Sequence, residues 1–186
     1  MYKLLLTTTA ALLAAAESLS AALVNFSGDT TGRSVFFRTT ESGFVSSQDV
    51  PFLAFSVLVD LTGSYDFAAQ ATGSPGFDTF ISLYTPNFDP ANSDTNWLIS
   101  NDGALPTSSA FSYSLNAGTS YTFVMTGFLG AGAPDEGPFS ATVSGLGTAA
   151  VAAIPEPSSA LTGILSAGLG FAFCSRRKSW KKRTAL

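Results

Sequence analysis

Apolar and polar residues alternate with a period of two along several short segments of the chain. This pattern is typical of β-strands that bury one face and expose the other. It occurs in PFLAFSVLVD, GSYDFAAQA, FDTFISLYT and PFSATVSGL, and in the third of these Asp78 and Ser82 point to the opposite face. The apolar positions expected to face a core are Phe55, Val57 and Val59; Tyr65, Phe67 and Ala69; Phe77, Ile81 and Leu83; and Phe139, Ala141 and Val143.

The segment AFSYSLNAGTSYTFVMTGF predicts two further strands. Asn116, Ala117 and Gly118 are typical turn residues, so we predict that these strands form a β-hairpin. Earlier strands are expected near residues 22–26 and 34–38. The apolar positions of the predicted hairpin are Phe111, Tyr113 and Leu115 before the turn, and Tyr121, Phe123 and Met125 after it.

Short alternating strands separated by Gly, Pro and Asn turns predict an all-β protein. We expect one antiparallel β-sandwich, of jelly-roll type, over residues 23–148. The aromatic residues at alternating positions are best interpreted as core residues. An exposed aromatic surface that binds extracellular polysaccharide is the alternative, and Trp97, in a long polar region, is its best candidate.

The N-terminal segment, residues 1–22, has the order of parts of a secretory signal peptide. One positive charge, Lys3, precedes an apolar stretch, and small residues follow it. This order predicts export through the Sec translocon. The alternative is an ordinary first helix of the folded domain, but the apolar run has no polar face.

The C-terminal segment combines a linker at residues 149–157, an uncharged stretch at residues 158–175 and a basic tail at residues 176–186. As a helix the uncharged stretch would be about 27 Å long, close to the thickness of a bilayer core. Because basic residues stay in the cytoplasm, the tail is expected inside and the preceding domain outside. The first charges after the stretch are Arg176, Arg177 and Lys178.

Pro155, Glu156 and Pro157, followed by an apolar helix and an arginine-rich tail, resemble the PEP-CTERM sorting signal of exported bacterial proteins. This signal is also known as the ice-binding protein C-terminal domain, a label that does not establish ice binding. The resemblance implies recognition of the three motif residues by exosortase, a membrane protease or transpeptidase. It also implies a transient anchor, stop-transfer charges at residues 176–178, and delivery to the cell surface or extracellular matrix.

Charge and residue usage narrow the possible functions of the exported part. Residues 23–154 contain eleven acidic residues and two arginines, a net charge of −9, which should repel nucleic acid and attract divalent cations. The chain has no histidine, and Cys174 is its only cysteine. Histidine-assisted catalysis and a disulfide within the monomer are therefore excluded. No nucleophile or phosphate-binding motif is present, so we expect a non-enzymatic protein.

Oxygen-bearing side chains are concentrated between Tyr84 and Leu105, which makes calcium the candidate cofactor. The spacing Asn92-x-Asp94-x-Asn96 resembles the start of an EF-hand loop, but the required Gly and Glu are missing. A looser calcium site between loops remains possible on sequence grounds. The alternative is that Asp and Asn are here because they form turns. The candidate ligands are Asp78, Asp89, Asp94, Asn96 and Asp102.

A second resemblance concerns residues 52–145. The order of FDTFISLY, NFDP, an NDG turn, LNAGTSYTFVMTGF and PFSATVSG is similar to the bacterial pre-peptidase C-terminal (PPC-like) sandwich family. Domains of that family are non-catalytic attachments, and some bind calcium. Together, these features predict an exported structural or adhesive protein. The alternative is a secreted module that binds calcium or carbohydrate.

Overall fold

The computed structural model describes residues 21–103, 105, 107–128 and 135–155. Ten β-strands form within these residues, and the longest connection that is described in full is residues 85–96. The strands are β1 (Ala21–Asp29), β2 (Val35–Thr39), β3 (Val45–Val59), β4 (Gly63–Ala71), β5 (Thr79–Tyr84), β6 (Trp97–Asn101), β7 (Ser108–Leu115), β8 (Ser120–Gly127), β9 (Pro138–Leu146) and β10 (Ala149–Ala153).

The strands pair into two antiparallel sheets that face each other. One sheet has the order β1-β9-β4-β7, and the other has the order β10-β3-β8-β5-β6 with β2 added on β3. The edges of the two sheets approach each other, β1 beside β10 and β6 beside β7. The prediction of an antiparallel β-sandwich is confirmed at this level.

The apolar positions that alternate along the strands meet between the sheets. Phe67 of one sheet and Phe123 of the other have ring centroids 5.8 Å apart and nearly parallel planes, at 13°. Tyr65, Phe67 and Phe123 are fully or almost fully buried. Each such side chain contributes about 1.5–3 kcal/mol by leaving water. All the predicted core positions belong to this cluster, with Tyr113 packed partly buried at its margin.

The prediction of a hairpin across residues 116–118 is wrong. β7 pairs with β4 in the four-stranded sheet, whereas β8 pairs with β3 and β5 in the six-stranded sheet. The turn therefore carries the chain from one sheet to the other. Both strands present an apolar face, and crossing between the sheets lets these faces pack against each other instead of side by side.

A second apolar cluster covers the outer face of the six-stranded sheet. Tyr84, Phe52 and Val124 lie on that face, and Phe36 of β2 and Phe88 of the loop pack over them. For this reason every residue of β5 is buried, including Ser82, whose hydroxyl lies 2.8 Å from that of Ser100. β5 thus lies in the interior, with both faces covered.

The structure differs from the predicted boundaries at both ends of the domain. β1 begins at Ala21, so a signal peptide ending at residue 22 would remove its first two residues. Residues 149–153 were predicted to be part of a linker, but they form β10 and pair with Phe55–Val59 of β3. Small residues such as AAVAA carry little strand signal, and pairing with β3 decides their conformation.

Candidate functional site

Pro155 is the part of the predicted sorting motif that the structure describes, and it is exposed. It follows Ile154, whose backbone N–H donates to the carbonyl oxygen of Ala54 at 2.8 Å. Glu156 and Pro157 lie outside the described residues, as do the predicted signal peptide, the predicted span at residues 158–175 and the charges Arg176, Arg177 and Lys178. In the part of the chain that is described, no helix is long and apolar enough to cross a membrane.

The five candidate calcium ligands separate into two groups. Asp78 precedes β5 and Asp102 follows β6, and these two carboxylates are close enough to interact electrostatically. Asp89, Asp94 and Asn96 lie in the loop between β5 and β6. Among the residues with described positions, no three carboxylate, cysteine or histidine side chains are arranged to hold a metal ion.

The loop residues form turns. The two carboxylate oxygens of Asp89 accept from the backbone N–H of Ala91 at 2.9 Å and from the side-chain amide of Asn92 at 2.8 Å. The Asn92 hydrogen bond, with that of Ala91, lowers the pKa of Asp89. Asn96 has a φ of +65°, the left-handed conformation that Asn tolerates. These contacts agree with the interpretation of Asp89 and Asn96 as turn residues.

Asp78 and Asp102 lie near a buried arginine that no sequence motif indicates. Arg38 of β2 is only 5 % exposed. Its guanidinium carbon lies 4.4 Å from the ring centroid of Phe80 and 4.8 Å from that of Phe128, so the cation is held between two aromatic faces. One guanidinium nitrogen donates to the carbonyl oxygen of Phe128. Arg38 lies two residues after the buried Phe36 on β2, and this spacing is the sequence signal that could have indicated that Arg38 is buried.

Asp135 is the third carboxylate near Arg38, and it is also 5 % exposed. Its Oδ2, like Nε and Nη1 of Arg38, has no hydrogen-bond partner within the described structure. Burial raises the pKa of Asp135 to about 6, the charge of Asp78 adds to this, and Arg38 opposes it. Burial likewise raises the pKa of Asp78, with Asp102 adding to the effect and Arg38 opposing it.

Arg38, Asp78, Asp102 and Asp135 therefore form a charge cluster in which the cation comes from the protein. It joins β2 to the segments that precede β5 and β9 and to the end of β6. The positive guanidinium already compensates part of the negative charge of the carboxylates. The electrostatic attraction of this cluster for a calcium ion is therefore reduced. The cluster lies where these segments meet.

Trp97 is not a freely exposed loop residue. It begins β6, is half-buried, and packs against the outer cluster of the six-stranded sheet. Its indole N–H donates to the hydroxyl oxygen of Ser100 at 2.7 Å. A Cβ atom on Gly43 would lie 3.3 Å from the indole ring, so residue 43 lies close to it.

The outer face of the four-stranded sheet carries small and polar side chains. A shallow groove of about 500 Å³ lies on it, bordered by Asn101 and Leu105. Among the described residues, no aromatic side chain lines this groove, whereas sites that bind sugars by ring stacking have one. Its floor is formed by Ala68, Gln70, Ser108, Ala110, Ser140 and Thr142.

No family model matches the chain, and no curated protein matches it. Among solved structures, the chain is similar to PliG of Aeromonas hydrophila, a periplasmic lysozyme inhibitor of g-type lysozyme. The sequence identity is 16 %, the match covers 68 % of this chain and 87 % of that chain, and the TM-score is 0.39. A likeness this distant carries no argument about function.

Proposed function

We propose that this chain is an exported bacterial protein that exosortase recognises at Pro155, Glu156 and Pro157. The observation that carries the proposal is the order of parts in residues 153–183: the motif, an uncharged stretch and a cluster of basic residues. Each part has a physical role in sorting. Proline keeps the backbone extended and accessible, the apolar stretch enters the bilayer, and the basic residues stay in the cytoplasm.

The location of Pro155 supports this proposal. The residue is exposed and follows Ile154, whose N–H donates to Ala54 in the last hydrogen bond of the sandwich among the described residues. The motif therefore begins directly after a segment that is held in the sheet. A membrane enzyme acting there would separate a folded ectodomain from the segment that holds it at the bilayer.

For the sandwich itself we propose a non-catalytic structural or adhesive role at the cell surface or in the extracellular polymeric matrix. The resemblance to PPC-like sandwiches, together with the antiparallel two-sheet fold, supports this role. A net charge of −9 over residues 23–154 keeps the domain soluble and repels neighbouring anionic surfaces.

Mass spectrometry of the mature protein tests the sorting proposal. Pro155→Ala combined with Pro157→Ala should leave the uncleaved chain in the membrane fraction, because the extended recognition segment is lost. Deletion of exosortase should give the same result. Pro90→Ala, in an exposed loop, is the matched control and should be processed like the wild type.

Two results would overturn the proposal. One is a mature mass that does not change when exosortase is deleted. The other is recovery of the full-length chain as a soluble cytosolic protein, since the predicted topology places only the basic tail inside.

A further inference from the structure

One edge of β3 is shared by two strands. β2 pairs with the first part of β3, ending with Val35 opposite Pro51, and β10 pairs with Phe55–Val59. The N–H of Phe52 donates to the carbonyl oxygen of Ser34 at 3.2 Å, and the carbonyl oxygen of Ala54 accepts from Ile154. Alternate residues of a strand direct their backbone groups to the same side, so β2 and β10 lie on the same edge.

The two strands lie end to end, and this leaves no room for β10 to continue. Ala153 is opposite Phe55, so Ile154 is opposite Ala54 and Pro155 reaches the level of Leu53. The next place along the edge, opposite Phe52, is already taken by Ser34. Pro155 is therefore the last residue for which β3 offers a position.

Proline is compatible with this last position. Backbone groups alternate in direction along a strand, and the N–H of Ile154 points toward β3. The nitrogen of the next residue points away from β3, so proline loses no sheet hydrogen bond there. The sheet accepts Pro155 and cannot accept a residue after it.

β10 is also fastened at its start. The carboxylate of Asp60 accepts from the backbone N–H of Thr148 at 2.6 Å and from its hydroxyl at 2.7 Å. The backbone N–H of Asp60 donates to the carbonyl oxygen of Thr148 at 3.3 Å. Ala149 and Val151 pack against the main core. β10 is thus held at both ends and along one face.

We infer that β10 stays in the sheet while the sorting enzyme acts, so that the enzyme engages this chain only from Pro155 onward. The inference rests on the proposed function. It adds that the segment that the enzyme recognises begins at Pro155. It also predicts that the mature protein keeps β10. The folded surface beside the enzyme would then include Val35, which is 52 % exposed, and Ile154, which is 39 % exposed.

A disulfide between β10 and β3 tests this inference in the full-length chain. Ser56 and Ala152 are direct cross-strand partners, and the Ser56 hydroxyl donates to the Ala152 carbonyl oxygen at 3.2 Å. Ser56→Cys with Ala152→Cys, in a Cys174→Ser background, should form the bond after export. Since β10 need not detach, the oxidised protein should be processed within about twofold of the wild-type rate.

Each single-cysteine variant in the same background serves as a control for the substitutions themselves. If β10 had to leave the sheet, cleavage would follow the population of the detached state, and the disulfide would slow it more than about tenfold. That loss, with normal processing of the single variants, would overturn the inference and leave the proposed function intact. Unprocessed wild-type protein, or processing that does not depend on exosortase, would overturn both.

A flexible insertion provides a second measurement. Gly-Ser-Gly-Ser placed between Ile154 and Pro155 supplies flexible, accessible residues before the motif without detaching β10. Processing should remain within about twofold of wild type, because those residues are not read. A severalfold increase would mean that the enzyme needs accessible residues before Pro155, and would contradict the inference.

Discussion

Arg38 and Asp135 are charged side chains that are each only 5 % exposed. Removing charges from water costs several kcal/mol per ion, so their positions depend on the groups around them. Arg38 interacts with Phe80, Phe128 and the three nearby carboxylates. Asp135 has one oxygen without a hydrogen-bond partner in the described structure. The charged form of the Asp135 carboxyl group therefore opposes folding.

Asp135 should make the domain more stable at pH 5 than at pH 7. Its pKa is about 6 in the folded protein, above the ordinary value of 3.8, so the folded state binds the proton more tightly. The resulting stability is fully present below the unfolded pKa and is lost as the pH rises through the folded pKa. Asp135→Asn should raise the free energy of unfolding at pH 7 by about 2 kcal/mol.

Urea denaturation at both pH values measures this effect. In Asp135→Asn the gain between pH 7 and pH 5 should shrink, because the side chain no longer titrates. Asp49→Asn, at an exposed strand position, is the control and should leave the difference unchanged. A variant less stable than wild type at pH 7 would show that the charged form of Asp135 stabilises the domain.

Core residues that alternate with polar neighbours could be predicted from the sequence, whereas the charge cluster could be predicted only in part. Phe55, Val57 and Val59 alternate with polar neighbours, and that local pattern alone places them inside. Asp78 and Asp102 were expected to lie near each other for calcium, and the structure places Arg38 and Asp135 beside them. Those contacts join distant segments of the chain, so no local pattern indicates them.

At the scale of elements, β10 is the clearest difference between a local pattern and the folded chain. The segment 149–153 has the composition of a linker, yet β3 offers it an open edge and the Asp60–Thr148 contacts fasten it there. The crossing between β7 and β8 has a similar origin. A turn sequence indicates a reversal of direction, whereas the sheet that the second strand joins depends on which partners are available.

Removing β10 should destabilise the domain. A chain of residues 21–148 loses the hydrogen bonds to β3, each worth about 1 kcal/mol, and the packing of Val151. We expect its free energy of unfolding in urea to be lower by about 3 kcal/mol than that of residues 21–155, the matched control that keeps the strand. Equal values would mean that residues 149–153 act as a linker.

At the scale of the whole molecule, the sandwich carries far more negative than positive charge. Residues 23–154 carry a net charge of −9, and Arg38, one of their two basic residues, is buried. A surface of this kind is repelled by anionic lipids over distances comparable to the Debye length. Once the predicted signal peptide is removed, membrane association of the chain is expected to depend on residues 158–186 alone.

Sedimentation with lipid vesicles checks this expectation. Purified residues 21–155 should remain in solution with vesicles that contain phosphatidylglycerol, even at low salt, where electrostatic effects are largest. Residues 21–186, which lack the predicted signal peptide, should sediment with them. Binding of the isolated sandwich to these vesicles would show that the domain has a membrane-binding surface of its own.

The sequence by itself determined the all-β class, the core face of each predicted strand and the charge asymmetry between the sandwich and the tail. Each of these depends on residue types and on their spacing along the chain, which contacts between distant segments do not alter. Only the tertiary structure decided which sheet each strand joins, that β10 completes the edge of β3, and that Arg38 is buried among carboxylates. These features depend on contacts between residues far apart in the chain, which form only when the two sheets pack together.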